Sequence, residues 1–265
     1  MDKKTIKDID VENKTVLVRV DFNVPLREVK KAKIAPAKVF EVADDTRIIK
    51  TLPTLEYLLD QEAKVVMISH LGRPKGRDPN LSLLAVADHL GALLKRPVKF
   101  VSDCIGKEIE EAVKAMKAGD IILLENTRFY PQEEKNDPDF AKKLASLADI
   151  FVNDAFATAH RSHASTVGVT KYLPSFAGLL MEKEVIELTE VMESPEHTFL
   201  GIIGGAKIST KMGVIENLLK KVDTLLLGGA LANTVLKAKG FEVGKSLIEK
   251  EMIDFYVRYF SGNLN

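Results

Sequence analysis

The run Asn153-Asp154-Ala155-Phe156-Ala157-Thr158-Ala159-His160-Arg161-Ser162-His163-Ala164-Ser165 sets one guanidinium and two imidazoles among small side chains, directly after the apolar stretch 150–152. With so little apolar material to bury, it reads as an anion loop and as poor core. Arg47 follows Asp44-Asp45-Thr46 at the start of a predicted helix. Arg73 stands in Ser69-His70-Leu71-Gly72-Arg73-Pro74-Lys75-Gly76, and Arg128 in Glu125-Asn126-Thr127-Arg128-Phe129. Glycines let a backbone approach a ligand closely, and a guanidinium grips a carboxylate or phosphate with two parallel donors. Singly, each loop fits a solvated turn equally well. Four arginines in four strand-end or helix-start loops are harder to assign to plain surface, because one topology brings them to a common edge. Together they describe a basic cleft for a small phosphorylated acid.

In Val16-Leu17-Val18-Arg19-Val20-Asp21-Phe22-Asn23-Val24-Pro25, alternation puts Arg19, Asp21 and Asn23 on one face of a strand. Asp21 and Asn23 at its carboxyl end suit substrate hydroxyls; a turn capped by Asp and Asn before Pro25 fits the same pattern. Arg19 reads as a structural ion-pair member. Later, Gly201-Ile202-Ile203-Gly204-Gly205-Ala206-Lys207-Ile208-Ser209-Thr210-Lys211 reads as strand, paired glycines, and a helix with two lysines on one face, a seat for nucleotide phosphates. The Walker spacing is absent. Gly228-Gly229-Ala230 repeats the strand-to-glycine turn, which suits either a flat base or tight helix packing. A zinc site on His160, His163 and Asp154 is disfavoured, since Arg161 opposes a cation and no third His or Cys ligand stands nearby. No nucleophile elbow or cysteine-histidine pair is present. Positive charge without a nucleophile fits phosphoryl transfer to an acceptor that needs no deprotonation.

These residues need a scaffold that collects strand ends. Short apolar runs at 15–20, 64–68, 98–101, 121–124, 150–152, 199–203 and 224–227 alternate with helical patterns at 48–59, 82–94, 107–116, 138–147 and 212–220. That alternation predicts an α/β protein with a parallel sheet covered by helices on both faces, and in such sheets ligands gather at the carboxyl ends of the strands. A charged helix at 181–193 predicts a connector. The expected division is an amino-terminal lobe at 1–180, a connector or hinge at 181–196, and an incomplete second doubly wound α/β lobe at 197–265. The stretch 26–43, with Lys30-Lys31-Ala32-Lys33, reads as an exposed excursion or hairpin.

Composition narrows the partners. The chain has 265 residues, 46% of them hydrophobic, with 38 basic and 38 acidic side chains. A balanced charge argues against a dedicated nucleic-acid or membrane-surface binder. The single cysteine, Cys104, excludes an internal disulfide framework and reads as a small buried hydrophobe. With no signal-type or membrane-spanning run, a cytoplasmic protein is expected.

The segments VRVDFNVP, DDTRI, SHLGRPKG, LLENTRFYP, NDAFATAHRSHAS and GGAKIST-K resemble, in wording and order, the signatures of phosphoglycerate kinases. The resemblance implies that Asp21, Asn23, Arg47, His70, Arg73, Arg128 and Arg161 bind 3-phosphoglycerate. Arg73, Arg128, Arg161 and His70 would hold the phosphate end, Asp21 and Asn23 the hydroxyl and carboxyl end, and Arg47 the phosphoryl group in flight. Lys207 and Lys211 would contact the transferring phosphoryl and the ATP or ADP phosphates, with Gly204, Gly205, Gly228, Gly229 and Leu247 near the adenine. Magnesium would accompany the nucleotide. Residues 26–43 look longer than the family's usual hairpin, and Ala157 stands where glycine is common. Beyond Leu247 the resemblance fades, and the metal-linked aspartate, the Gly-Gly-Gly-Asp loop and the returning carboxyl-terminal segment find no counterpart. The expectation is a carboxyl-terminally truncated kinase chain, active by itself, limited to binding phosphoglycerate, or completed by a separate carboxyl-terminal lobe.

Overall fold

The structure, a computed structural model, describes residues 4–29, 39–207, 209–254 and 256. Its elements in chain order are β1 (Thr15–Arg19), β2 (Leu26–Val29), β3 (Val39–Val42), α1 (Thr46–Asp60), β4 (Lys64–Ile68), α2 (Leu84–Leu94), β5 (Lys99–Val101), α3 (Lys107–Lys114), β6 (Ile121–Leu124), α4 (Pro131–Glu134), α5 (Pro138–Ala145), β7 (Ile150–Asn153), α6 (Phe156–Ala159), β8 (Ser175–Ala177), α7 (Leu179–Glu193), β9 (Leu200–Gly204), α8 (Met212–Leu219), β10 (Thr224–Gly228) and α9 (Gly229–Ala238). The chain forms two compact units, Met1–Glu187 and Leu188–Asn265.

The first unit is built on a six-stranded parallel sheet in the order β5-β6-β4-β1-β7-β8. Both faces are covered, and the residue alternation shows how. Val16 and Val18 of β1, Val65 and Met67 of β4, and Ile121 and Leu123 of β6 pack with Ile48, Leu55 and Leu58 of α1 and Val86 and Leu90 of α2. Their neighbours Leu17, Val66, Ile68, Ile122 and Leu124 face the other way, onto Ile109 of α3 and Phe140, Ala141 and Leu144 of α5. Near-continuous apolar strands are what two-sided burial requires. Helix α5 starts sharply because Asp137 accepts from Phe140 N at 2.9 Å and Pro138 occupies the first turn.

β2 and β3 pair antiparallel, so the arms of the expected hairpin exist, while its Lys30-Lys31-Ala32-Lys33 tip lies outside the described residues. β8 is an element the periodicity does not reveal: three residues, Ser175 to Ala177, join the sheet through backbone pairing with β7 and offer no apolar run. Among the described residues no helix is long and apolar enough to cross a membrane.

In the second unit β9 and β10 run parallel, with α8 and α9 contributing to a small core of Ile203, Ile215, Leu231 and Tyr256. One sequence reading is corrected here. Lys207 and Lys211 do not ride a helix; they stand in the irregular segment ahead of α8, whose first residue is Met212. Ser209 Oγ donates to Glu249 Oε1, and Thr210 Oγ1 donates to Lys207 O at 3.0 Å.

Candidate functional site

The carboxyl ends of β1, β4, β6 and β7 and the first turn of α1 surround a cavity of about 280 Å³. It is lined by Asp21, Asn23, Arg47, His70, Gly72, Arg73, Arg128, Ala157, Thr158 and Arg161. All seven first-unit residues singled out from sequence thus meet in one pocket. The sheet order explains it: β4 and β7 flank β1, and β6 lies beside β4, so four successive strand ends open on the same edge.

Hydrogen bonds between the loops hold the pocket's shape. Phe22 N donates to Ser69 Oγ at 2.9 Å, which joins the exit of β1 to that of β4. The Gly72 peptide is held from two sides: its N–H donates to Asn23 Oδ1 at 2.8 Å, and its carbonyl accepts from Arg128 Nη1 at 2.8 Å. Gly72 has φ +63, which favours glycine, and a Cβ there would press on the Leu81 Cδ2 methyl at 3.0 Å. Asn126 fixes the neighbouring Leu71 peptide, accepting from its N–H at 3.1 Å and donating to its carbonyl at 2.7 Å. Asn23 is therefore partly committed to the backbone through its Oδ1.

The charges are unevenly satisfied. Arg47 Nη1 donates to Asp21 Oδ2. The guanidinium groups of Arg73 and Arg161 make no hydrogen bond or ion pair to a described residue. His70 is buried, and burial together with the charges of Arg19, Arg128, Arg161 and Arg47 pulls its pKa down to about 2. A neutral ring has one donor and one acceptor. Arg19 Nη2 lies 3.2 Å from His70 Nδ1 and can only donate, so Nδ1 accepts and Nε2 carries the proton. His70 is thus a hydrogen-bond donor without charge. Ala157 sits in α6 without the positive φ that would favour glycine, so alanine fits there without strain.

Arg19 departs from its expected role. It is 1% exposed, and among the described residues no carboxylate stands within ion-pair distance. It donates to Val20 O at 2.6 Å and to His70 instead. Burial lowers its pKa, opposed by the charges of Glu133 and Asp21.

The loop after β7 is also less uniform than its composition suggests. Only Arg161, Ala157 and Thr158 from it reach the pocket. Asp154, Ala155, Thr158, His163, Ala164 and Ser165 are buried, so nearly half of a segment read as poor core is core. Asp154 Oδ1 accepts from Leu180 N at 3.0 Å and Met181 N at 3.1 Å, fastening the start of α7 to the end of β7. His163 turns inward, with Nδ1 3.8 Å from Glu133, while His160 is exposed. Among the described residues no group of three metal-ligating side chains converges. Glu133 is the residue the sequence hides: in Gln132-Glu133-Glu134-Lys135 it resembles surface charge, yet it is fully buried. Cys104 is buried too, its thiol donating to Glu125 O at 2.8 Å and its pKa raised by burial.

In the second unit, Gly204 and Gly228 are register partners at the carboxyl ends of β9 and β10. A Cβ on Gly205 would meet Lys211 Cε at 2.9 Å, and one on Gly229, at φ +65, would meet Gly205 O at 3.2 Å. Gly205 and Gly229 therefore approach closely just beyond the paired strand ends, with the Lys211 stem against Gly205. Lys207 and Leu247 are both exposed. Ser209 N donates to Glu249 Oε2 at 3.1 Å, which ties the lysine-bearing loop to the segment after α9.

Four guanidinium groups, one neutral imidazole donor and one carboxylate line a strongly cationic pocket at the carboxyl edge of a doubly covered parallel sheet, in an α/β protein. The chain belongs to the phosphoglycerate kinase family, whose model matches residues 6–262. It is 55% identical over 257 residues to the phosphoglycerate kinase of Dictyoglomus turgidum, and 55% identical over 254 residues to that of Moorella thermoacetica. Each match covers 96% of this chain and 62% of the relative, so the chain spans less than two thirds of their length. Among solved structures, phosphoglycerate kinase from Coxiella burnetii aligns with a TM-score of 0.81 at 39% identity, over 98% of this chain and 63% of that one. The Pyrococcus horikoshii enzyme aligns at 0.77 and 34% identity, over 98% and 62%.

Proposed function

We propose that this chain works as a phosphoglycerate kinase, moving a phosphoryl group reversibly between 1,3-bisphosphoglycerate with ADP and 3-phosphoglycerate with ATP. The observation that carries the reading is the convergence of Arg47, Arg73, Arg128 and Arg161 with His70 in one pocket. In this reading Arg73, Arg128, Arg161 and the Nε2 proton of His70 hold the phosphate end. Asp21 and the Asn23 amide take the hydroxyl and carboxyl end, and Arg47, already paired with Asp21, stabilises the phosphoryl group in transfer. The acceptor carboxylate is ionised at neutral pH, so no general base is required.

The nucleotide side of the proposal rests on Lys207 and Lys211 for phosphates, on Gly204, Gly205, Gly228 and Gly229 for close approach, and on exposed Leu247 as apolar surface for adenine. Magnesium enters as companion of the nucleotide phosphates. Residues 181–196 would serve as the connector between a phosphoglycerate lobe at 1–180 and a nucleotide lobe from 197, and the cytoplasm would be the site of action.

The test pairs calorimetry with a coupled ATP assay. 3-Phosphoglycerate should bind, and Arg161→Ala should weaken binding roughly 10- to 100-fold, as expected for one charged hydrogen-bonding group. The melting midpoint should stay unchanged; a lost cooperative transition would make Arg161 structural instead. Binding without turnover would restrict the chain to a phosphoglycerate-binding role, or to activity only with a complementing lobe.

A further inference from the structure

We infer that Glu133 is a positioning residue of the anion pocket, a buried carboxylate that ties the Arg128 loop to the Arg161 loop and sets the distance between their guanidinium groups. The inference rests on the anion-pocket reading above and deepens it. β6 and β7, which deliver those two arginines, are not neighbours; β4 and β1 stand between them. Three strand spacings amount to about 14 Å, so sheet pairing alone leaves the two loops free to shift relative to one another. Glu133 bridges them. It lies in α4, just after the turn Thr127–Phe129 that carries Arg128, and its N–H donates to Tyr130 O at 3.1 Å. Its carboxylate accepts from Ser165 N at 3.0 Å and Ser165 Oγ at 2.5 Å. The far side is cross-linked as well: His163 N donates to Arg161 O at 3.0 Å and Thr166 Oγ1 donates to it at 2.8 Å, which joins Arg161 to the turn that carries Ser165.

A fully buried carboxylate is costly unless paired and hydrogen-bonded, so a mere spacer would be better made from neutral groups. Here its charge acts on Arg19, Arg128 and His163, which lets cations crowd behind the pocket. The two contributions have opposite signs for a ligand. Removing a negative charge near an anion site strengthens anion binding by Coulomb attraction, whereas losing the brace weakens it.

The sign decides the matter. 3-Phosphoglycerate affinity would be measured by calorimetry on the full chain and on Glu133→Gln, Glu133→Asp and Ser165→Ala, below the melting transition of each. Glu133→Gln sets an amide where two donors arrive, and Glu133→Asp keeps the charge but loses reach; both should weaken binding about 10-fold, and Ser165→Ala several-fold. In an Arg161→Ala background the effect of Glu133→Gln should shrink, since the spacing it sets no longer matters, whereas a general loss of stability would add. Unchanged or tighter binding in Glu133→Gln overturns the inference. If that variant does not fold, unchanged affinity in both Glu133→Asp and Ser165→Ala overturns it. Wild-type protein that fails to bind 3-phosphoglycerate removes the parent reading as well, a separate outcome.

Discussion

At the scale of single residues, the site's behaviour turns on groups whose protonation is set by their surroundings. His70 is held neutral by burial and by four nearby arginines, with a pKa of about 2 against 6.5 for a free imidazole. Two-dimensional NMR of the ligand-free protein should therefore show its ring signals unmoved from pH 8 to pH 4; a midpoint near 6 would contradict the neutral-donor role. The sign for stability follows. The unfolded chain takes up this proton below 6.5 and the native state does not, so the contribution is complete above 6.5 and lost as pH falls. Asp154 has the opposite sign. Burial holds its carboxyl up at about 6, against hydrogen bonds from Thr54 and the Met181 and Leu180 amides. The native state then keeps a proton that the unfolded chain releases near 3.8, so this group's contribution falls as pH rises from about 4 to about 6. In urea titrations, the stability of wild type relative to Asp154→Asn should decline across that window; a flat difference would refute it.

At the scale of elements, β7 and the start of α7 meet in a close joint. A Cβ on Gly178 would fall 2.2 Å from Asp154 Oδ1, inside the contact that secures the start of α7. Gly178→Ala should cost about 1–3 kcal/mol by overpacking. Gly213, in the first turn of α8, has open space around its missing Cβ, and Gly213→Ala should be neutral or stabilising by up to ~1 kcal/mol. Chemical denaturation of the two variants compares them directly, and equal midpoints would invalidate the joint. Strands were legible in the sequence wherever both faces were apolar, as in Ile121–Leu124. β8 was hidden because three residues paired through their backbone leave no side-chain signature. Lys207 and Lys211 were misplaced on a helix because a four-residue interval looks helical in any conformation. Pocket residues were legible because arginine and glycine at strand ends are uncommon as filling. Glu133 was not, since burial of a carboxylate is a tertiary fact with no local pattern.

At the scale of the whole molecule, the two units differ in how well they are stabilised. The first has a six-stranded sheet with side chains packed on both faces, whereas the second described sheet has two strands, and Ile202 of β9 is 71% exposed. Two-stranded sheets with an open apolar face hold weakly. Hydrogen exchange should show the β9 and β10 amides opening at lower free energy than those of β1 and β4; equal protection would refute the ranking. The sheet order also has a bearing on how the protein is made. β1 leaves the ribosome first, but its partners are residues 64–68 on one side and 150–153 on the other. Such long-range closure is slow. Until β7 has been synthesised, one edge of β1 stays unpaired and Arg161 does not yet exist. The anion pocket therefore cannot form until synthesis has passed residue 161, and a pocket ligand can stabilise only chains whose central strand is already flanked on both sides.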